Sequence, residues 1–151
     1  PLDSLIFRTS WLYSCHEGNF VTTMLRLMNE RSDLRVVSDQ IGSPTWVRGL
    51  AKTMWAVADQ PQAHGIYHWT DNDSCSWYEF ACAIYEQGRR RGLIETEVAI
   101  EAISTEEYPT AAQRPAYSVL DCQRSHALLG VTGEPWRFQL EKMMKEMSAH
   151  D

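Results

Sequence analysis

Short β-rich runs alternate with amphipathic stretches of helical length along most of this sequence, and that alternation constrains the fold more than any single residue does. LIFRTS (5–10) reads as a strand, followed after Asn19 by FVTTMLRLMNER, where Phe20, Met24, Leu27 and Met28 fall on one helical face. LRVVS (34–38) reads as a second strand. Past the turn-rich QIGSPT, Thr45 is expected to cap a helix that turns Val47, Leu50, Ala51, Met54 and Ala58 inward. GIYHWT (65–70) is a third strand. Ser76 and Glu79 then have the spacing of a capping box for WYEFACAIYEQGRRR, whose inward face is Trp77, Phe80, Ala81, Ile84 and Tyr85. EVAIEAI (97–103) is a fourth strand. Beyond it the pattern changes. Ser104 and Glu107 can box a short turn, YPTAAQRPAYSVLD is a proline-interrupted extended stretch, Asp121 can cap a short helix ending at Gly130, and Pro135 can open a last amphipathic helix. Strands separated by helices of this length imply an α/β layer architecture with at least some parallel pairing.

A chain of 151 residues, 44% hydrophobic and 11% aromatic, can fill one core, so a single domain is expected. The net charge of −6, from 20 acidic against 14 basic residues, argues against nucleic acid as the main partner but leaves room for a small anionic ligand held by a few local cations. No apolar run is long enough to span a bilayer, and the start of the sequence lacks the pattern of a secretory signal, so a cytoplasmic protein without a membrane partner is expected. Cys15, Cys75, Cys82 and Cys122 never approach a CxxC spacing, which favours reduced thiols, and the histidines offer no metal-ligand cluster.

The sequence contains no GxGxxG, GxxGxxG or Walker-type glycine pattern that would let backbone amides approach a pyrophosphate, and no GxSxG nucleophile elbow. No tyrosine is followed four residues later by lysine, the spacing at which a lysine can lower a tyrosine's pKa on one helix face; the nearest arrangement is Tyr85 with Arg89. On residue chemistry alone, the reading stops at an α/β domain with a few candidate ligand contacts.

Four stretches in order and in register resemble one family: RTSWLYS (8–14) with NFVTTMLRL (19–27), DQIGSPTW (39–46), SWYEFACAI (76–84) and RPAYSVLD (114–121). They are similar to the dTDP-4-dehydrorhamnose reductases, extended short-chain dehydrogenase/reductases that make dTDP-L-rhamnose. The resemblance covers nearly all of the chain. It implies the C-terminal part of a Rossmann-like fold, including the small substrate-binding subdomain. In that family an N-terminal segment carries a glycine-rich loop for NADPH or NADH and a Tyr-xxx-Lys pair that delivers the proton. Both lie upstream of RTSW, and the sequence starts only ten residues before Trp11. The resemblance therefore predicts a substrate-binding unit spanning residues 1–151, no catalytic residue within it, and no reductase turnover by the chain alone.

Site residues follow from the same resemblance. Trp11 matches the family tryptophan that packs against the sugar, where a planar face suits the C–H side of a deoxysugar; burial at a strand end is the alternative. Arg114 resembles the arginine that many extended members place on the substrate diphosphate, where a guanidinium can hold two oxygens; the alternative is a surface arginine. Gln40 lies in the loop that faces the substrate in relatives, and it could equally stabilise a turn. Asn19 could contact phosphate but is more simply a helix N-cap. Trp77, Phe80 and Tyr85 read as core or interface. Some relatives dimerise through magnesium bridged by carboxylates, although no ligands for it can be assigned here. A strand at LIFRTS without its usual neighbours should expose a sheet edge and an apolar face, so self-association is expected. Two competing functions remain open: a regulatory module like the methionine adenosyltransferase β subunit, and another nucleotide-sugar reductase or epimerase of the superfamily.

Overall fold

Among the described residues, three of the four strand pairs are parallel, as the alternation of strands and helices requires. The computed structural model describes residues 4–16 and 18–149. β1 (Leu5–Arg8) pairs with β6 (Gly65–His68), β2 (Leu12–Tyr13) with β5 (Thr45–Trp46) and β3 (Asp33–Val37) with β8 (Ala99–Ile103), all parallel. The antiparallel pair joins β4 (Ile41–Gly42) to β7 (Cys75–Ser76).

The helices start where side chains can satisfy their free amides. α1 (Phe20–Glu30) opens on Asn19, whose Oδ1 accepts from the Val21 N–H at 3.0 Å and the Thr22 N–H at 3.3 Å. α3 (Trp77–Arg90) opens on the expected capping box: the Ser76 N–H donates to Glu79 Oε2 at 2.7 Å, and the Glu79 N–H donates to Ser76 Oγ at 3.1 Å. α4 (Gln123–Leu129) ends at Gly130 in the left-handed region at φ +66°, and Pro135 precedes α5 (Trp136–Met147). The N-cap of α4 is Cys122 and not the expected Asp121, which lies one residue earlier and accepts from the Gln123 N–H at 2.9 Å. A 3-10 turn spans Thr105–Glu107, with the Ser104 N–H donating to Glu107 Oε2 at 2.9 Å.

The core is gathered around α3. Met24 and Met28 of α1, Phe80 and Ile84 of α3, and Leu140 and Met143 of α5 pack together with Tyr13 and Trp136. α1 and α3 approach closely at Gly88, where a Cβ would come within 3.2 Å of Leu25 Cδ2 and collide with Ile94. The buried stripe of α1 is Val21, Met24, Leu25 and Met28, rotated slightly from the expected face, with Phe20 and Leu27 at its border.

α2 (Val47–Ala58) departs from expectation in two ways. Its N-cap is Trp46, and Thr45 lies in β5 with its hydroxyl unpartnered among the described residues. No side chain caps α2; the Asp71 carboxylate, arriving from beyond the end of β6, accepts from the N–H of the N-cap residue Trp46 at 2.9 Å. A negative charge there also complements the positive end of the helix dipole. The second departure is the helix face: Thr53 and Val57 point inward, whereas Met54 and Trp55 are 51% and 78% exposed. The buried Thr53 hydroxyl is satisfied by the Gly49 carbonyl at 3.1 Å.

Asp71 is only 2% exposed, and it also takes a hydrogen bond from the Gln139 side chain on α5. Burial pushes its carboxyl up to about 7 against these two bonds. Its folded pKa lies above the unfolded value, so the folded state binds the extra proton between roughly pH 4 and 7. This group's stabilising contribution is therefore complete below that window and is lost as pH rises through it. Chemical denaturation of Asp71→Asn at several pH values should show wild-type stability falling relative to the variant from pH 4 to 7, by up to about 1.4 kcal/mol per pH unit. Parallel curves would refute the assignment.

Candidate functional site

A cavity of about 560 Å³ opens between the N-terminal half of the core and the extended stretch before α4; its lining includes Phe20, Gln40, Trp77 and three arginines, Arg31, Arg35 and Arg114. Two backbone devices bring Gln40 and Arg114 together although they are far apart in sequence. The Ile41 N–H donates to the Ala116 carbonyl at 2.8 Å, and the Ser118 N–H donates to the Ile41 carbonyl at 2.9 Å, so the RPAYS stretch runs beside β4. Thr105 then fixes the other side of the loop. Its N–H and Oγ1 donate to the Asp39 carboxylate at 3.0 and 2.6 Å, and Gln40 Nε2 donates to Thr105 Oγ1 at 3.0 Å. The Thr105 hydroxyl bond holds the Asp39 carboxyl below its ordinary pKa. Gln40 is thus both a structural clamp and part of the cavity wall.

The charges divide by partner. Arg35 is committed to Glu107 at 2.7 Å and Glu101 at 3.6 Å; the Glu107 carboxyl lies below its ordinary pKa, chiefly through the Ser104 N–H. Arg114 is exposed and forms no ion pair among the described residues. A guanidinium without a carboxylate partner at a cavity mouth can receive a phosphate or carboxylate bidentately.

Trp11 does not line this cavity directly. Its indole stacks on Trp77, with ring centroids 3.5 Å apart and planes 10° from parallel. Trp77 is the ring on the cavity side. Asn19 is a helix cap. The structure therefore brings Gln40 and Arg114 into one cavity, places Trp11 one ring behind it, and leaves Asn19 in a structural role. The sequence reading missed Arg35 and the cavity face of Trp77 and Phe20. The clue for Arg35 was its position between Leu34 and Val36 on a strand, which turns it outward.

A larger cavity of about 630 Å³ lies around Asp71 between α2 and α5. Its rim charges are largely paired with one another: Arg48 with Glu146, and Lys142 with Glu134 at 2.6 Å. Among the described residues no three His, Cys, Asp or Glu side chains converge as a metal site. No helix among them is long and apolar enough to cross a membrane.

Residues 2–149 match the family described as the RmlD substrate binding domain. The spore coat polysaccharide biosynthesis protein SpsK of Bacillus subtilis (strain 168) is 46% identical over 147 residues, covering 97% of this chain and 49% of SpsK. A dTDP-4-dehydrorhamnose reductase of Aggregatibacter actinomycetemcomitans is 38% identical, covering 93% of this chain and 49% of the relative. Among solved structures, the dTDP-4-dehydrorhamnose reductase of Bacillus anthracis in complex with NADP superimposes with a TM-score of 0.85 at 38% identity, covering 94% of this chain and 48% of that one. The dTDP-glucose 4,6-dehydratase of Bacillus anthracis, at 11% identity and a TM-score of 0.69, shares the fold. The architecture is thus that of the Rossmann-like extended dehydrogenase/reductases. The chain spans about half the length of the curated relatives it matches.

The capping geometry assigns Asn19 to folding. Asn19→Ala should lower stability by about 1 kcal/mol, read by urea denaturation, while nucleotide affinity stays within about twofold, less than 0.5 kcal/mol. A loss of affinity at unchanged stability would make Asn19 a ligand contact instead.

Proposed function

The chain belongs to the RmlD substrate binding domain family, and from that premise we propose that it supplies the nucleotide-sugar side of a dTDP-4-dehydrorhamnose reductase. The parent reaction would be reduction of the 4-keto group of dTDP-6-deoxy-L-lyxo-4-hexulose to dTDP-L-rhamnose, with NADPH as hydride donor. Support comes from the reductase relatives and from the NADP bound to the Bacillus anthracis protein. The observation that carries the reading is Arg114, an unpaired guanidinium at the mouth of a cavity that also holds an amide and an aromatic ring. In this role Arg114 holds the diphosphate, Gln40 presents its amide oxygen to a hydroxyl or to the base, and Trp11, one ring behind the cavity, backs its aromatic side.

NADPH does not fit the residues of this chain. The helix ends flanking the cavity carry side-chain caps, with Asn19 taking the Val21 and Thr22 amides at α1 and Ser76 the Glu79 amide at α3, and neither is preceded by a glycine-rich loop that could cradle a pyrophosphate. In this reading hydride and proton delivery belong to residues outside the chain. The chain alone binds and orients the nucleotide sugar without turning it over.

Calorimetric titration of the 151-residue chain should show dTDP-L-rhamnose binding in preference to UDP- and GDP-sugars. Arg114→Ala should weaken it about tenfold or more, near 1.4 kcal/mol. Equal affinity for all three nucleotide classes would remove the thymidine assignment.

The same reading accounts for two apolar faces left open. β1 has no strand partner on its outer edge among the described residues, and its Ile6 is 49% exposed, whereas the outer carbonyls of β6 accept from Arg124 and Ser125 of α4. α2 presents Met54 and Trp55 outward. Faces of this kind recruit a partner, and for the chain by itself that partner is a second copy. Sedimentation velocity at micromolar concentration should show dimers or larger species, and a stable monomer would contradict it.

A further inference from the structure

Trp11 and Trp77 form a pair whose geometry goes beyond core packing. Phe80, one helical turn after Trp77, is fully buried, whereas both tryptophans are only partly covered. Trp77 faces the Gln40 and Arg114 cavity, and Phe20, at 4.7 Å from Trp77, lines it as well. Trp11 has φ +47°, a backbone conformation that a bulky residue keeps only where its surroundings over-determine it. Three contacts do so here. The indole is stacked on Trp77, the Thr45 N–H donates to the Trp11 carbonyl at 3.1 Å, and the Gly42 backbone lies against the ring. A Cβ at Gly42 would stand 2.6 Å from both Cζ2 and Nε1 of Trp11. Gly42 is not among the residues with positive φ, so backbone conformation permits an alanine there, and the atoms its Cβ would meet first are those of the indole.

We infer that Trp77 is a ligand-contacting residue of the nucleotide-sugar site, forming one aromatic wall with Trp11, and that Gly42 is the positioning residue that keeps the Trp11 ring in that wall. This rests on the function proposed above. The wall runs from the Arg114 cavity to the end of β1, so a ligand whose diphosphate lies on Arg114 would meet it with the part beyond the phosphates. The chemistry it suits is the apolar C–H face of a deoxysugar ring.

The test is calorimetric titration of the 151-residue chain with dTDP-L-rhamnose and with dTDP alone. The variants are Trp77→Leu, Gly42→Ala, Trp11→Leu, Arg114→Ala and the Gly42→Ala/Trp11→Leu double. Trp77→Leu and Gly42→Ala should each weaken dTDP-L-rhamnose about tenfold while dTDP alone changes less than about threefold. Gly42→Ala should add nothing in the Trp11→Leu background, because it acts through that ring. Circular dichroism reads the stack without ligand: the exciton band of the paired indoles should vanish in Trp77→Leu and in Trp11→Leu. If Arg114→Ala weakens dTDP-L-rhamnose but Trp77→Leu and Gly42→Ala do not, the wall is overturned and the proposed function stands. If the wild-type chain binds neither nucleotide while its exciton band is intact, the proposed function falls and takes the ligand role of Trp77 with it.

Discussion

The burial of Phe80 is the contact on which the rest of the molecule depends. Its ring is fully buried on α3 and meets Tyr13 of β2, Phe20 of α1 and Trp136 of α5, each with ring centroids 5.5 Å apart. One side chain thus sets the distance from α3 to a strand and two helices. Aromatic pairs in edge and offset arrangements add specific geometry to the area they bury, so these elements are fixed in angle as well as in distance. Trp77 lies three residues earlier on the same helical face, and Phe20 touches both rings. The cavity wall is therefore an extension of the core. Its rigidity comes from the same packing that holds the helices.

Charge at the cavity is local and opposes the charge of the chain. The protein carries −6 overall, yet three arginines line this one cavity. Arg35 is neutralised by Glu101 and Glu107, which also anchor β8 and the turn after it. Arg114 has no such partner among the described residues. At separations beyond about 8–10 Å the remaining acidic residues are screened by salt, so an anion at the cavity mouth is governed by the nearest guanidinium. Net charge bears on a polyanion partner and says little about a small anion held by one or two local cations.

Legibility from sequence followed the range of the interactions involved. Both capping arrangements, at Asn19 and at Ser76 with Glu79, were readable because each depends on residues three apart or fewer. The strands at 34–38 and 97–103 were readable as elements, but their parallel pairing followed only from the alternation of strands with helices. The Trp11–Trp77 stack and the Gln40–Arg114 juxtaposition join residues more than sixty positions apart. No local periodicity encodes them. Resemblance to a family pointed to Trp11, Gln40 and Arg114 as a set, and it gave no hint that Trp77 stands between Trp11 and the cavity. Thr45 was misread as a cap because it pairs in β5 and the helix starts one residue later, with the Trp46 N–H held by Asp71 from a distant part of the chain.

The misreading of α2 has a different origin. The helix carries apolar residues on two sides, and periodicity alone selects the richer one, at Val47, Leu50, Ala51, Met54 and Ala58. The structure buries the poorer side, with Thr53 and Val57 inward, while Asp71, itself bonded by Gln139 of α5, holds the helix start. A helix that keeps a threonine inside and a tryptophan outside inverts the usual amphipathic order. Hydrophobic area favours the opposite arrangement, and a buried hydrogen bond from Asp71 anchors the N-terminus of α2 in the observed one. The outward Met54 and Trp55 then gain burial only from a further surface. The same holds for Ile6 and Ile66, paired across β1 and β6 on the side away from Phe7 and Tyr67. The helix α2 and the β1/β6 pair thus each carry an apolar face with nothing upon it among the described residues.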